Sequence, residues 1–403
     1  MTHNCDRTMT DTADKSILAY RYRLYPTKAQ ASALAETLET CRQVYNSLLN
    51  WRKHDYEMLG KSPSKFEQQA AFPRWKKDHA ELLGVFSQVL QNVAVRVDLA
   101  FDAFFRRVRE GETPGFPRVK GKGQYDSITY PQAGFEFHQG KLRLSKIGDI
   151  NIRLHRPIEG IIKTCTIRRI NGKWFVCLSC TVGPELLPPS EEEIGIDVGI
   201  RVFAALSNGE FIENPRFFRK DEKALAKAQR KLCKQKRGSK ARKKARKVVS
   251  RIHERVRNRR HDFVHQTARR LVNRYGVIAV EGLNVKNMTR RPKAKPDPEN
   301  VGQYLPNGAS AKAGLNKSIA DASWSMFRNV LTMKAERAAR LVVAINPAYT
   351  SQMCSGCGNI VKKTLNEREH RCLVCDLVMD RDTNASVNIL AAVGQHSLAA
   401  LAA

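Results

Sequence analysis

Apolar and polar positions change period several times along this chain, and each change marks an element. From Ile17 to Tyr25 apolar or aromatic residues alternate with basic ones, the two-residue period of a half-exposed strand. Pro26-Thr27 ends that run and opens a helix, which Leu34, Leu38, Cys41, Val44, Tyr45 and Leu48 continue at three-to-four spacing. Further helix is predicted over about 79–110, with Leu90, Val93, Ala94, Val97, Phe101, Phe104 and Phe105 as its buried stripe and Arg106, Arg107 and Arg109 at its basic end. From Gly111 the pattern shortens. After an irregular basic stretch, Gly115 to Gly123, strand-like runs follow at 127–130, 135–138, 141–144, 150–154, 161–170 and 173–182, broken by Gly, Pro and Asn-Gly. This predicts a small β-barrel made of 17–25 and 111–183, with the helices of 26–110 inserted into it. Cys177 and Cys180 lie on one predicted strand and point to opposite faces, so the pair reads as structural.

A proline-bearing linker, 184–193, leads to a second region. Ile194–Asp197 and Val202–Leu206 read as strands, and Asn208-Gly209 before Glu210–Ile212 is a hairpin turn. A long helical stretch follows, broken at Gly238-Ser239, then a strand over 277–280 that leads to Glu281. The Pro/Lys/Asn/Gly-rich stretch 289–317 is expected to be a mobile loop, followed by a helix from about Ala320 to Arg340 and a strand, Leu341–Ile345, stopped by Pro347. Residues 1–16 and 396–403 are expected to be tails, the first of them disordered.

Charge narrows the partner. The chain has 403 residues, Lys+Arg 70 against Asp+Glu 39 and a net charge of +31, enough length for two to four domains. Residues 219–260 hold 20 Lys/Arg and three acids, a net of +17 and more than half of the total. Such a one-signed helical face repels itself unless a polyanion neutralises it, so nucleic acid is the expected partner. No apolar stretch approaches the length of a membrane span and no signal peptide opens the chain, which argues against a membrane protein and for the cytoplasm.

Two sets of residues carry candidate chemistry. Four of the ten cysteines fall in Cys354-Ser-Gly-Cys357 and Cys372-Leu-Val-Cys375, two C-x-x-C knuckles 14 residues apart. Two such turns complete a tetrahedral thiolate site for Zn²⁺ with no open position, hence a structural ion. The second set is acidic. Glu193-Ile-Gly-Ile-Asp-Val-Gly199 and Val277-Ile-Ala-Val-Glu-Gly282 are apolar strands ending on a carboxylate, Asp197 and Glu281, a costly arrangement unless the charge is paired or holds a metal. Asp382 opens the last helical run, where Asn384, Ala385, Asn388 and Ile389 sit at packing positions; Asp380, just before, is a candidate for a supporting role. Spacing alone does not single out these acids. Their order (Asp on the first strand of a hairpin, Glu on a later strand, Asp at the start of a final helix) is that of RNase H-like nucleases, in which such carboxylates hold two Mg²⁺ ions for phosphodiester cleavage.

The chain resembles the TnpB family, the RNA-guided DNA endonucleases carried by bacterial insertion sequences and related to type V CRISPR effectors. The resemblance spans about Tyr20 to Leu390. It rests on Arg23-Leu-Tyr-Pro26, Val44-Tyr-Asn46, Gly115-Phe-Pro-Arg118, Gly195-Ile-Asp-Val-Gly199, Val280-Glu-Gly-Leu283, Ser351-Gln-Met-Cys-Ser-Gly-Cys-Gly358 and Asp380-Arg-Asp-Thr-Asn-Ala385. Ser386 stands where many relatives carry alanine. The resemblance implies an α+β multidomain protein: a wedge-like β-barrel with a helical recognition insert, then a RuvC-like nuclease domain over 184–353. A zinc ribbon, 354–375, interrupts that domain before its final motif and helix, 376–395. It implies Asp197, Glu281 and Asp382 as catalytic Mg²⁺ ligands, a guide RNA, and a double-stranded DNA target cut beside a short adjacent motif. A monomer with one RNA would suffice. A guide-free recombinase or resolvase, and a nucleic-acid-binding regulator that does not cut, are the competing readings of the same residues.

Overall fold

The computed structural model describes residues 16–300, 302–364 and 366–401. The expected tail 1–16 lies outside them except for Ser16, which opens a strand, and so do the last two residues. The chain divides into two compact units, at Gly183/Pro184.

In the first unit β1 (Ser16–Tyr25) is followed by four helices, α1 (Lys28–Leu59), α2 (Lys65–Ala70), α3 (Phe72–Asp78) and α4 (Ser87–Arg109). Six strands come next: β2 (Ser127–Tyr130), β3 (Phe135–His138), β4 (Lys141–Leu144), β5 (Gly148–Arg153), β6 (Ile161–Ile170) and β7 (Lys173–Val182). All seven strands form one antiparallel sheet in the order β2-β6-β7-β1-β5-β4-β3, so β1, first in sequence, lies in the middle. Laid flat, its two edge strands would stand roughly 29 Å apart at the usual strand spacing. Yet the chain passes from Tyr130 on one edge to Phe135 on the other, a reach of about 18 Å at most. The sheet must therefore curl until it nearly closes, and the Tyr130 hydroxyl donates to the Ser145 carbonyl at 3.2 Å across the gap. The inner positions of β1 and β7 (Tyr20, Tyr22 and Leu24; Trp174, Val176, Leu178 and Cys180) share one core with α1 and α4.

Thr27 starts α1 with a reciprocal capping box to Gln30, and Gly60 ends it in the left-handed conformation at φ 65°. The continuous helix expected from about 79 is not observed. A 3₁₀ turn occupies Ala80–Gly84 and α4 starts at Ser87. Its buried stripe ends at Val97, while Phe101 and Phe104 are half-buried and Phe105 is exposed. Phe101 still packs against the core, but the helix then outruns it, and Phe104 and Phe105 pack with Phe101, Phe116 and one another.

The second unit is built on a mixed five-stranded sheet. Its strands are β8 (Glu193–Val198), β9 (Val202–Leu206), β10 (Phe211–Glu213), β11 (Val277–Glu281) and β14 (Leu341–Ile345), in the order β10-β9-β8-β11-β14. β8, β11 and β14 run parallel, and β9 and β10 are antiparallel hairpin additions. The two basic helices, α5 (Phe217–Cys233) and α6 (Lys240–Arg274), are separated as the sequence indicated, with Gly238 at φ 83° and Ser239 capping α6. α5 lacks a side-chain cap of its own; buried Asp321 accepts from the Phe218 and Arg219 amides and from Arg260. α7 (Val285–Met288) and a small hairpin, β12 (Lys295–Pro296) with β13 (Tyr304–Leu305), come after β11.

The expected loop 289–317 is shorter than predicted, because the alanine-rich run after Gly308 forms α8 (Ala309–Ala322). The single helix expected from 320 to 340 is two, since Ser323 adopts φ 60° and breaks α8 from α9 (Trp324–Arg337). Two short strands, β15 (Glu369–Arg371) and β16 (Val378–Asp380), lead to α10 (Arg381–Leu401), which runs on past the expected end near 395. α6 and α9 bury one face of the sheet through Val264, Ala268, Leu271, Phe327 and Leu331; α10 buries the other through Ile389 and Val393. The result is helix on both sides of a sheet, which explains why Ile194, Gly195 and Ile196 are all buried.

Candidate functional site

Strand parity places the carboxylates. Val280 pairs with Ile196 in the parallel β8–β11 ladder, so Glu281 and Asp197 are the next residues on adjacent strands, at the same level. Asp197 shares its face with Gly195, and Glu281 with Ala279, because alternate residues of a strand point the same way. That face is the one α10 covers. A Cβ on Gly195 would stand 2.0 Å from the Ser386 carbonyl oxygen and 2.9 Å from Leu390, so only glycine allows the helix this close. Asp382, in the first turn of α10, is thereby brought to the strand ends that carry the other two acids.

The electrostatics follow from that placement. Burial first, then the charges of Glu281 and Asp382, push the Asp197 carboxyl up to about 8, with Arg381 opposing and Asp380 adding to the rise. Burial also raises Glu281, against a hydrogen bond from Thr350 whose Oγ1 donates to Oε1 at 2.8 Å. Asp382 accepts from Arg381 at 3.0 Å and lies 3.8 Å from Arg368. Asp380 has a different part: its Oδ1 accepts from the amides of Asp382 and Thr383 at 2.9 and 3.1 Å, capping α10 and fixing where Asp382 points. The supporting position suggested by the sequence for Asp380 is thus a helix cap.

The four cysteines also come together. Their sulfurs all lie within 4.8 Å of one another. Two pairs, Cys354/Cys375 and Cys357/Cys372, stand at 3.6 Å. A tetrahedral ion with bonds near 2.3 Å needs sulfurs about 3.8 Å apart, so the cluster has the right size to hold a metal. Amides of Val374 and Cys375 pull Cys372 down to about 7. The Leu377 amide pulls Cys375 down too, but its hydrogen bond with Cys357, burial and the remaining sulfurs leave it raised to about 12. Four thiols this close resist shared ionisation unless a cation joins them. Gly358 makes the first turn at φ 75°.

Two residues expected at packing positions, Asn384 and Asn388, tie the two clusters through hydrogen bonds that the sequence did not indicate. Buried Asn384 donates to the Met353 carbonyl at 2.7 Å and accepts from the Ser355 amide at 3.0 Å. Asn388 donates to the carbonyls of Thr350 and Met353 at 2.9 and 2.7 Å. The helix that carries Asp382 therefore grips the segment that enters the first knuckle and, through Thr350, reaches Glu281. The four-residue spacing of Asn384 and Asn388, one helical face, was the available clue.

Half-buried acids at neighbouring strand ends, a four-thiol cluster tied to them and an intensely basic helical pair define a class: proteins that act on nucleic acid. Residues 177–291, which carry Asp197 and Glu281, match a family described as "Probable transposase". Residues 324–389, with the four cysteines and Asp382, match "Cas12f1-like, TNB domain". Residues 16–61 match "Helix-turn-helix domain"; here they form β1 and the single 32-residue helix α1, without the internal turn of that name. A Streptomyces pristinaespiralis protein named "Putative RNA-guided DNA endonuclease" is 37% identical over 385 residues, covering 93% of this chain and 89% of its own. The Escherichia coli K12 protein named "Putative RNA-guided DNA endonuclease InsQ" is 32% identical over 391 residues, covering 94% and 92%. The chain belongs to the TnpB family. Its fold is similar to that of Cas12f1 in a cryo-EM complex with sgRNA and target DNA, with a TM-score of 0.54 at 15% identity over 90% of this chain and 83% of that one.

Proposed function

We propose that this protein is an RNA-guided DNA endonuclease encoded by an insertion sequence, and that Asp197, Glu281 and Asp382 are its catalytic carboxylates in a RuvC-like domain. The observation that carries the assignment is the convergence of three acids from distant parts of the chain on one strand end, where Asp197 is held near 8 by burial and by its neighbours. Hard oxygen donors suit Mg²⁺, and the four thiols suit a structural Zn²⁺ in a ribbon. Bound divalent ions at such a site supply an activated water and stabilise the leaving 3′ oxygen.

The chain's own residues do the rest. Asp197 and Glu281 present oxygens from the half-buried ends of strands whose middles are buried. The Thr350 hydroxyl holds one oxygen of Glu281 and leaves the other open. Asp380 and Asn388 fix the helix from which Asp382 projects. Arg381 and Arg368, beside Asp382, balance part of its charge. Lys243, Lys244, Arg246, Lys247, Arg251 and Arg257 are exposed on α6 and offer the guide RNA or DNA backbone a positive track, while pairing with the guide specifies the target strand.

Expression with the native flanking DNA, followed by sequencing of the copurified RNA, tests the guided reading. A single RNA with a constant part and a variable end is expected, and that RNA should direct Mg²⁺-dependent cleavage of a matched plasmid next to a short fixed motif. Heterogeneous RNA and unguided cutting would favour a guide-free nuclease. Asp197→Ala is expected to abolish cleavage while RNA and target binding persist.

A further inference from the structure

In the short loop between β14 and the first cysteine turn, four successive carbonyls, from Thr350 to Met353, each accept a hydrogen bond. Asn388 of α10 donates to Thr350 at 2.9 Å, Lys363 to Ser351 at 3.1 Å, the Val361 amide to Gln352 at 2.9 Å, and Asn384 to Met353 at 2.7 Å. The Thr350 hydroxyl in turn donates to Glu281. Lys363 has a second task. Its Nζ also donates to Nδ1 of His370, which is fully buried on β15, just before Cys372. One ammonium thus ties the strand of the second cysteine turn to the loop that positions Glu281. The same strand is tied to another of the acids. The Arg381 amide donates to the Arg368 carbonyl at 2.7 Å, and the Arg368 and Arg381 guanidiniums both face Asp382.

Apolar packing does little for the two cysteine turns. Among the described residues, no apolar cluster takes a member from 346–388, and Ile360, Leu373, Val374 and Val378 are exposed. A segment without a core of its own folds when a metal joins its thiolates. We infer that Lys363 is a positioning residue that couples the cysteine cluster to the carboxylate centre, so that metal bound at either one tightens the hold of the other. The inference rests on the reading of Asp197, Glu281 and Asp382 as Mg²⁺ ligands. Loss of the cation at the thiols frees Lys363 and Arg368 to move, and Glu281 and Asp382 lose supports that fix them. A cation at the carboxylates fixes the same loop from its other end and slows the opening of the cysteine turns. Two sites that stabilise one hydrogen-bonded loop help each other equally, because linkage is reciprocal.

The test uses the full chain loaded with Zn²⁺. A chromogenic chelator in excess records zinc release, and calorimetric titration records Mg²⁺ binding. Mg²⁺ is expected to slow zinc release from the wild type about 10-fold, within the usual range of coupling between sites. In Lys363→Met, which keeps much of the side chain's length and removes its donor, Mg²⁺ should slow release at most about twofold and bind several-fold more weakly. Lys363→Arg should recover part of both. A merely structural lesion would speed zinc release equally with and without Mg²⁺ and leave Mg²⁺ affinity unchanged. Arg368→Gln, at an exposed side chain, should weaken the coupling too, and it keeps the test decisive if Lys363→Met does not fold. Mg²⁺ that binds the wild type without slowing zinc release, or that slows release equally in the wild type and the variants, overturns the inference. If Mg²⁺ does not bind the wild type, or binds Asp197→Ala equally well, the carboxylate reading fails and the coupling falls with it.

Discussion

Asp197→Asn should stabilise the metal-free protein while it destroys cleavage. Burial and two neighbouring carboxylates move the Asp197 carboxyl from an ordinary 3.8 to about 8. The folded chain then holds a proton that the unfolded chain has released, so this group favours folding fully below pH 3.8 and loses that contribution as pH rises toward 8. At 1.36 kcal/mol per pH unit, the loss reaches at most about 5 kcal/mol by pH 7.5. Asparagine has the same shape and no charge to desolvate. Recovering about 2 kcal/mol would already raise the melting temperature of a unit of this size by about 4–8 °C. Calorimetry of the full chain in Mg²⁺-free, zinc-containing buffer should show the variant ahead of wild type at pH 7.5, with the gap narrowing to about a third of that at pH 5. Added Mg²⁺ should raise the wild-type melting temperature and leave the variant almost unmoved, because ligand stabilisation needs a site. Equal melting at both pH values, or an equal Mg²⁺ shift in both proteins, would refute the reasoning: Asp197 would then be neither strained by its neighbours nor a ligand.

Three further substitutions probe how the site is held. Gly195→Ala forces a methyl to within 2.0 Å of the Ser386 carbonyl, so α10 must shift; stability should fall by about 1–3 kcal/mol and cleavage further than that, measured by denaturant melts and plasmid cutting. Thr350→Val removes the hydrogen bond that restrains the rise of Glu281, so the acid limb of the cleavage–pH profile should move to higher pH; an unchanged limb would remove Glu281 from the rate-determining ionisation. Asn384→Ala leaves the half-buried Ser355 amide without its acceptor, at a cost of about 1 kcal/mol. Because Ser355 sits inside the first knuckle, the variant should also lose zinc faster to a chelator, followed by metal analysis over time.

The sequence by itself determined what depends on neighbours along the chain. The alternation of 17–25 and of the runs from 127 to 182 gave strands near their observed bounds, since side-chain parity is local. Asn208-Gly209 became the β9–β10 turn, with Gly209 at φ 84°, and Gly238-Ser239 parted the basic helices. The two C-x-x-C turns could be read directly because each half of that cluster is four residues long. Local signals also misled: Phe105 fits the helical stripe but outlies the core, and the run after Gly308 was hidden among loop-forming residues although it is helical. The tertiary structure alone decided that Asp197 and Glu281 stand level on one face, that Gly195 admits α10 and so brings Asp382 to them, and that Asp380 serves as the helix cap. It alone decided that Asn384 and Asn388 bind the carboxylate helix to the cysteine knuckle. These are contacts between residues up to nearly two hundred positions apart. Strand register and helix docking set them, and both are fixed by packing across the whole unit, not by any short stretch of chain.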